Sequence, residues 1–187
     1  MTRIIAGTYG GRRLTAPAGT RTRPTSDRVR EALFSSLDTM TVLSGARFAD
    51  LYAGSGAVGL EALSRGAGHA LLVESDPRAA QVIRGNIATL GLGTAARVVT
   101  GTVLKVVSTP PGGDPYDVVF ADPPYAVTDP ELLTVQRALL DHGWLAPDAV
   151  LVVERSTRGP SMSWVDGVTP ERSRHYGETT LWYGRRS

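Results

Sequence analysis

The sequence of 187 residues contains no cysteine. It can therefore form no disulfide bond, no zinc site with thiolate ligands and no cysteine nucleophile. It also lacks any run of about 18 apolar residues, so we expect no membrane-spanning helix. The apolar stretch near the start ends at Gly7 and is too short to predict a signal peptide. These absences lead us to expect a cytoplasmic protein without a membrane partner.

Lysine is almost as rare, because Lys105 is the single lysine among 20 basic residues. The choice of arginine over lysine therefore carries little information, but the position of the arginines does. Seven arginines and one aspartate give residues 1–30 a charge of +6, which leaves −4 for 31–187 out of a total of +2. A basic segment on a mildly acidic body predicts a polyanionic partner, although a solvated basic arm is the alternative. The seven arginines are Arg3, Arg12, Arg13, Arg21, Arg23, Arg28 and Arg30.

The first residues predict a β-hairpin. Extended segments at 3–7 and 12–16 flank a turn at 8–11 that contains two glycines. A lone hairpin cannot bury enough apolar surface to fold by itself. We therefore predict a basic N-terminal hairpin and loop at 1–26, attached to a main domain at 27–187.

The main domain is predicted to begin with a helix at 27–39, where apolar residues recur at helical spacing. Thr25 or Ser26 is suitably placed to cap this helix. Arg28 and Arg30 lie outside the apolar stripe, so we expect both to face solvent or a ligand.

From residue 46 onward the chain alternates between strand and helix patterns. Such alternation predicts a parallel sheet with helices on both faces. Two further extended segments around Gly177 predict an antiparallel hairpin at the C-terminus. The expected fold is thus α/β, with a seven-stranded, mostly parallel sheet. The predicted strands are 46–51, 69–74, 97–99, 116–121, 149–154, 172–176 and 179–184, and the predicted helices are 57–65, 77–90, 103–107 and 130–142.

The most informative stretch is 48–61, which reads F-A-D-L-Y-A-G-S-G-A-V-G-L-E. A short apolar strand, which ends near Asp50, is followed by Gly54, Gly56 and Gly59 and then by a helical pattern. Glycines let the backbone turn sharply and let a ligand approach it closely, and the N–H groups at the helix start can meet electron-rich ligand atoms. The pattern is typical of a cofactor-binding loop. The alternative is an ordinary strand–helix turn that needs glycine.

An acid follows the second strand of the main domain. Glu74 lies 20 residues after Gly54, close to the spacing at which a carboxylate accepts hydrogen bonds from ribose hydroxyls. Ser75 is adjacent, and Asp76 is expected to open the next helix, either as its cap or as a partner of the helix dipole. The alternative is a solvated acid at a strand end. Up to this point the features fit a nicotinamide-dependent oxidoreductase equally well.

The segment Asp122-Pro123-Pro124-Tyr125 follows the fourth strand and separates these possibilities. Two successive prolines fix the backbone and remove two N–H donors. The Asp122 carboxylate and the Pro123 carbonyl then form a rigid row of acceptors beside the aromatic face of Tyr125. Such a row suits a planar base that carries an exocyclic amino group. The alternative is a loop that proline merely stiffens.

Taken together, D-L-x-A-G-S-G, the acid after the second strand and D-P-P-Y resemble the motifs of class I S-adenosyl-L-methionine-dependent methyltransferases that modify exocyclic amino groups. This resemblance implies their Rossmann-like fold. The N-terminal motifs R-I-I-A-G-x-x-x-G-R-R-L and R-P-T-S-D-R-V-R-E-A-L-F resemble, more narrowly, the RsmD family of bacterial 16S ribosomal RNA (guanine-N2) methyltransferases. The resemblance extends over nearly the whole chain, from Arg3 to the C-terminal hairpin.

The resemblance implies S-adenosyl-L-methionine as the cofactor. Asp50 and the loop 53–56 would hold its methionine moiety, and Glu74 its ribose. Many related enzymes place an acid or an amide against the adenine amino group, whereas Gly101 and Thr102 occupy that position here. Thr102 can offer only a hydroxyl or a backbone group. The implied cofactor-binding residues are Asp50, Ala53, Gly54, Ser55, Gly56, Glu74, Ser75 and Thr102.

The substrate implied by the resemblance is 16S ribosomal RNA, free or within an assembling small ribosomal subunit, bound by a monomeric enzyme. Asp122 and the Pro123 carbonyl would bind the guanine amino group, and Tyr125 would stack on the base. The implied catalytic residues are Asp122, Pro123, Pro124 and Tyr125. The implied RNA-binding residues are Arg3, Arg12, Arg13, Arg21, Arg23 and Arg28.

Other functions remain open from the sequence. D-P-P-Y also occurs in amino methyltransferases that act on DNA adenine, on other RNAs or on protein glutamine. A nicotinamide-dependent oxidoreductase and a non-catalytic RNA-binding protein are the alternatives outside this chemistry. The three histidines are scattered without metal-ligand spacing, so we expect no metal site.

Overall fold

The computed structural model describes residues 2–19 and 25–187, so Arg21 and Arg23 lie outside the described residues. The described residues form a small N-terminal sheet and a large mixed sheet flanked by helices. The strands are β1 (Thr2–Arg3), β2 (Arg13–Leu14), β3 (Arg47–Leu51), β4 (His69–Glu74), β5 (Ala96–Thr100), β6 (Tyr116–Ala121), β7 (Leu145–Ser156), β8 (Val168–Tyr176) and β9 (Thr179–Arg186). The helices are α1 (Asp27–Met40), α2 (Ala57–Ser64), α3 (Pro77–Leu90), α4 (Val103–Val107) and α5 (Asp129–Asp141), with a 3₁₀ turn at Gly93–Ala95.

The large sheet has the strand order β5-β4-β3-β6-β7-β9-β8. Strands β3 to β7 are parallel, and β9 and β8 continue the sheet in antiparallel pairing. The predicted seven-stranded α/β sheet with a C-terminal hairpin is therefore confirmed. Strand β7 extends past its predicted end because β9 pairs with it as far as Ser156 and Thr179. The carboxyl ends of the five parallel strands meet at one edge of the sheet, which is where ligands bind in folds of this kind.

Apolar side chains are buried on both faces of the sheet. On one face Phe48 stacks against Phe34 of α1, with ring centroids 6.0 Å apart. On the other face Ala49 and Leu51 join a second buried cluster that includes Leu132 of α5. A strand that is buried on both faces has a continuous run of apolar residues in its sequence. The positions of these strands can therefore be predicted from the sequence.

The helices begin at capping residues that the sequence marks. Ser26 caps α1 by accepting a hydrogen bond from the Val29 N–H, and Asp76 caps α3 in the same way, with Pro77 in its first turn. Asp76 therefore has the capping role that the sequence predicts. Among the described residues, none of the helices combines the length and apolar character needed to cross a membrane.

The N-terminal hairpin is much shorter than predicted. The sequence predicts strands at 3–7 and 12–16, whereas strand pairing is limited to Thr2–Arg3 and Arg13–Leu14. The prediction of longer strands is wrong, because only the Ile4 N–H after β1 still bonds across the hairpin, to the Arg12 carbonyl, whereas the N–H groups of Ile5 and Ala6 bond to α2.

Helix α2 anchors this N-terminal segment through buried polar groups. The Glu61 carboxylate accepts hydrogen bonds from the N–H groups of Ile5 and Ala6, at 2.8 and 3.1 Å. Gly7 has a φ of +83°, and a Cβ atom at this position would lie 2.0 Å from the carbonyl oxygen of Ser64. Only glycine therefore allows the segment to approach α2 this closely.

Glu61 also neutralises a buried arginine. Arg30 is fully buried, and its guanidinium contacts Glu61 at 3.4 Å and Asp27 at 2.6 Å. Arg65 contacts the second Glu61 oxygen at 2.8 Å. The expectation that Arg30 faces solvent or a ligand is thus wrong, because Arg30 pairs with buried Glu61 of another helix as well as with Asp27 of its own. Arg28, on the same helix, is exposed.

Replacing Glu61 should destabilise the fold strongly. Glu61→Ala leaves the buried Arg30 charge and two backbone N–H groups without this acceptor, so we expect a loss of about 3–5 kcal/mol of unfolding free energy. Glu31→Ala is the matched control, because Glu31 also contacts Arg65, at 3.2 Å, but is 54% exposed. That control should lose at most about 1 kcal/mol. Urea unfolding of both variants makes the comparison, and equal losses would contradict this account of Glu61.

Candidate active site

Four acids lie near or just beyond the carboxyl ends of four neighbouring parallel strands, and we call them the carboxylate row: Asp50 on β3, Glu74 on β4, Asp122 after β6 and Glu154 on β7. All four line one open cleft with a volume of about 1700 Å³. Small-ligand pockets are usually about 300–1,000 Å³, so this cleft has room for a cofactor and for part of a second molecule. Among the described residues, no three His, Cys, Asp or Glu side chains are grouped so that they could hold a metal ion.

The glycine loop between β3 and α2 forms the floor of the cleft. Gly54 and Gly56 have φ values of +59° and +82°, which few other residues adopt. Ala53, Gly54 and Ser55 line the cleft, whereas Gly56 does not, because it packs against the side chains of Leu72 and Ile83. Helix α2 has no side-chain cap at Gly56, so the N–H groups of Ala57 and Val58 in its first turn remain available to a ligand.

Asp50 connects the strand end to the helix that follows the loop. Its Oδ2 accepts a hydrogen bond from the Gly59 N–H at 2.9 Å, and the residue is only 2% exposed. Burial raises the pKa of Asp50 to about 8, against the lowering effect of the Gly59 bond, and the charges of Asp122 and Glu74 raise it further. The site therefore holds an acid that gains strongly from a nearby positive charge.

Glu74 is oriented by two backbone N–H groups. Its Oε1 accepts from Gly54 at 2.9 Å, and its Oε2 accepts from Asp76 at 2.8 Å. Each carboxylate oxygen has two lone pairs, so each can still accept a hydroxyl hydrogen bond from a ligand. Ser75 and Thr102 line the same part of the cleft. Thr102 precedes α4, and its side chain makes no capping hydrogen bond.

The Asp122–Tyr125 segment forms the next part of the wall, and all four of its residues line the cleft. Burial raises the pKa of Asp122 to about 6, while hydrogen bonding by Thr25 and the charge of Arg155 lower it. Tyr125 is 91% exposed, so its ring is accessible from solvent.

Hydrogen bonds fix the turn that contains Tyr125. The Val127 N–H donates to the Pro124 carbonyl at 3.0 Å, and Arg155 donates to the Val127 carbonyl at 3.1 Å. Arg155 also pairs with Asp129 at 3.2 Å. The exposed ring of Tyr125 thus lies on a turn whose backbone is fixed by the two prolines and by Arg155.

Sequence reasoning misses two side chains of the cleft. The sequence marks Thr25 only as a possible helix cap, but Ser26 has that role and the Thr25 hydroxyl lies against Asp122 and Glu154. The sequence pattern marks Glu154 only as the end of a buried strand. The signal that could have found it is its position, since it lies near the carboxyl end of β7, the strand next to the one that precedes Asp122.

The predicted RNA-binding arginines that the structure describes are exposed but lie outside the cleft lining. Arg3 is 3.6 Å from Asp27, and Arg12 donates to the Thr89 carbonyl at 3.2 Å. Arg13 and Arg28 are also exposed. Residues 16–19 line the cleft, so the chain runs from the basic hairpin directly onto the cleft wall.

Buried Asn86 of α3 joins this wall to the glycine loop. Its Oδ1 accepts from the Thr15 N–H at 2.9 Å. Its Nδ2 donates to the Thr15 carbonyl at 3.0 Å and to the Ser55 carbonyl at 3.3 Å. The N-terminal segment is therefore fixed to the loop that forms the floor of the cleft.

Comparison with known proteins places the chain in a family. A family model described as Conserved hypothetical protein 95 matches residues 2–185. Ribosomal RNA small subunit methyltransferase D of Escherichia coli (strain K12) is 44% identical over 153 residues, which cover 81% of this chain and 73% of that protein.

Solved structures show the same relationship. The Escherichia coli protein yhhF superimposes with a TM-score of 0.85 at 37% identity, covering 100% of this chain and 98% of the other. An RNA methyltransferase from Salinibacter ruber, solved in complex with S-adenosyl-L-homocysteine, has a TM-score of 0.65 over 88% of this chain and 94% of its own. It is 16% identical, so it shares the fold alone. The chain therefore belongs to the Conserved hypothetical protein 95 family, that is, to the RsmD family of class I S-adenosyl-L-methionine-dependent methyltransferases.

Proposed function

We propose that this protein transfers a methyl group from S-adenosyl-L-methionine to the exocyclic N2 of a guanine in 16S ribosomal RNA. The observation that carries the proposal is the position of Asp122, Pro123 and Pro124 on the same cleft as the glycine loop and Glu74. The name of the Escherichia coli relative, a ribosomal RNA small subunit methyltransferase, supports the class of substrate. The choice of guanine N2 follows from the resemblance of the sequence motifs.

The residues of the cleft suit the cofactor. The glycine loop and the uncapped start of α2 offer backbone N–H groups to its carboxylate. Asp50 offers a negative charge to its ammonium group, and Glu74 keeps two lone pairs for ribose hydroxyls. Thr102, whose hydroxyl is not used for capping, and Ser75 are assigned to its adenosine part. When bound, the cofactor supplies an electrophilic methyl group on a sulfonium.

The Asp122–Tyr125 segment of the cleft has to activate guanine N2, which is a poor nucleophile. The lone pair of guanine N2 is delocalised into the ring, so attack requires the nitrogen to be held and polarised. The Asp122 carboxylate and the Pro123 carbonyl accept its two N–H bonds, and Pro124 fixes that geometry. Tyr125 is exposed enough to stack on a base that has left its own stack.

Asp122 also manages the charge that the reaction produces. As the bond from N2 to the methyl carbon forms and the sulfur–carbon bond breaks, positive charge appears on N2. The Asp122 carboxylate stabilises that charge and accepts the proton that N2 releases. Burial strengthens this effect, because charges interact more strongly where water is excluded.

The N-terminal part is assigned to RNA binding. Residues 1–26 form the proposed RNA-binding appendage and 27–187 the methyltransferase domain. Exposed Arg3, Arg12 and Arg13 in this appendage, and exposed Arg28 at the start of α1, can bind phosphates around the target base. The enzyme acts as a monomer in the cytoplasm, where its ribosomal substrate, free or assembling, is found.

A methyl-transfer assay tests the proposed function. The protein is incubated with S-adenosyl-L-methionine carrying a labelled methyl group, together with small ribosomal subunits, naked 16S ribosomal RNA or DNA. We expect label in one of the two RNA samples, and mass spectrometry should locate it on guanine N2. Label on DNA alone, or on an adenine, would reject the assigned substrate.

Asp122→Asn should separate catalysis from cofactor binding. The amide keeps the size of the side chain but loses the charge and the proton-accepting ability, so turnover should fall by about 100-fold or more. Affinity for S-adenosyl-L-homocysteine, measured by calorimetry, should change by less than about threefold. Asp141→Asn, at the exposed far end of α5, is the matched control and should keep its turnover. Retained turnover in Asp122→Asn would indicate a protein whose function does not depend on this acid.

Cofactor preference should depend on pH. Asp50 and Asp122 have raised pKa values, about 8 and about 6, and carry negative charge only above them. The sulfonium charge distinguishes S-adenosyl-L-methionine from S-adenosyl-L-homocysteine. The affinity ratio in favour of the former should therefore rise by about threefold or more between roughly pH 5.5 and pH 8.5. Calorimetry with both ligands measures this affinity ratio, and the ratio should change less with pH in Asp122→Asn. An affinity ratio that does not change with pH in the wild type would contradict the electrostatic explanation.

The basic hairpin should contribute to RNA affinity without affecting the cofactor. The double variant Arg12→Gln/Arg13→Gln should bind 16S ribosomal RNA more weakly, and the slope of log affinity against log salt should fall by about one for each phosphate that is no longer bound. Arg97→Gln, on the exposed edge strand β5, is the control for loss of positive charge alone. If both variants weaken binding equally, the hairpin has no special role in RNA binding.

A further inference from the structure

Thr25 contacts two acids of the carboxylate row at once. Its Oγ1 lies 3.3 Å from Asp122 Oδ2 and 3.2 Å from Glu154 Oε2. The register of β6 and β7 brings these acids side by side, because Ala121 pairs with Val153 and the acid is the next residue on each chain segment. The contact is therefore built from three separate parts of the fold: the residue before the α1 cap and the ends of two neighbouring strands.

The number of protons limits how this contact can be made. A hydroxyl has one hydrogen, and an ionised carboxylate can only accept. Thr25 can therefore donate a full hydrogen bond to one of the two acids or share its hydrogen weakly between both, and both contacts are full hydrogen bonds only if one acid is protonated and donates to Oγ1. With both acids ionised, two neighbouring negative charges would share a single hydrogen in a buried place, which is costly. The geometry thus points to one shared proton on the pair.

The surroundings decide which acid carries that proton. Burial raises the pKa of Glu154 to about 8, and the charge of Asp122 raises it as well, against the effect of the Thr25 bond. Burial raises the pKa of Asp122 only to about 6, because Thr25 and Arg155 lower it. Asp50 on the neighbouring strand also repels Asp122 when both are charged. Around neutral pH, Glu154 is the acid that keeps its proton.

We propose that Glu154 and Thr25 are positioning residues. Protonated Glu154 donates a hydrogen bond to the Thr25 hydroxyl, and the Thr25 hydroxyl then donates its own hydrogen to Asp122. This inference rests on the proposed function, since its purpose is to keep Asp122 ionised as the acceptor for a substrate amino group. An ionised Glu154 would compete for the Thr25 hydrogen and would repel the charge of Asp122. Both effects would favour a protonated Asp122, which could accept fewer hydrogen bonds and no proton.

The protonation of Glu154 can be tested without any substrate. An acid with a raised pKa contributes stability that is fully present below its unfolded-state pKa and is lost as the pH rises through its folded-state value, about 8 for Glu154. Glu154→Gln removes this loss. The melting temperature of the variant relative to wild type should therefore increase by about 3 °C or more between roughly pH 6 and pH 9.

Glu31→Gln is the control for this measurement, because Glu31 is an exposed glutamate on α1. Its melting temperature relative to wild type should not change over the same pH range. A pH-independent difference for Glu154→Gln as well would show that Glu154 is already ionised near neutral pH, and would overturn the proposal whether or not the protein methylates RNA.

Turnover distinguishes the positioning role from direct proton transfer by Glu154. Glutamine can donate an amide hydrogen to Thr25 as a carboxylic acid does, so Glu154→Gln should keep turnover within about threefold of wild type, with the acidic limb of its pH profile in place. Thr25→Val removes the donor to Asp122, so its acidic limb should move upward by about one pH unit, and Thr25→Ser should restore it. Loss of turnover in Glu154→Gln at every pH, or an unmoved limb in Thr25→Val, would overturn the proposal.

Discussion

Four carboxyl groups at one edge of a parallel sheet lose hydration, and each one that is ionised must be stabilised by a hydrogen-bond donor. In the carboxylate row the donors come from the backbone where the strand is followed directly by a glycine loop or a helix. Asp50 uses the Gly59 N–H and Glu74 uses two N–H groups. Beyond β6 the prolines of D-P-P-Y remove such N–H groups, so Asp122 depends on a side chain from elsewhere, Thr25. The rigid acceptor row that suits an amino substrate therefore creates the need for an external donor.

The position of Thr25 depends on a buried ion network between α1 and α2. Thr25 directly precedes the cap of α1, and α1 is anchored through Arg30 to Glu61 of α2. Glu61 also binds the N–H groups that follow β1. A buried ion pair is weak evidence for net stability, but it fixes which surfaces meet, since any other arrangement would leave a buried charge unpaired. Here the Arg30–Glu61 pair fixes α1, and Thr25 lies in the cleft just before the start of that helix.

The sequence is most informative where structure is set by near neighbours. Strands buried on both faces and helices with caps such as Asp76 are predicted within a few residues of their observed bounds, because periodicity and capping are local signals. The Glu74 spacing and the D-P-P-Y segment likewise identify cleft residues, since both follow strand ends. The errors concern partners that are distant in the chain: Arg30 is buried by an acid 31 residues away, and the hairpin is cut short by bonds to α2. Nothing in local periodicity reports such a partner.

The N-terminal segment thus has more than one physical link to the reaction. Its exposed arginines carry the charge assigned to phosphate binding, residues 16–19 form part of the cleft wall, and Thr25 contacts Asp122. These features follow one another along the chain, and within its described residues 2–19 it is fixed to α2 and, through Asn86, to the glycine loop. A shift of this stretch on binding RNA would therefore change the distance from Thr25 to the carboxylates as well as the shape of the cleft. Under the proposed function, we therefore expect RNA binding and the protonation of Asp122 to be coupled, because the same segment contributes to both.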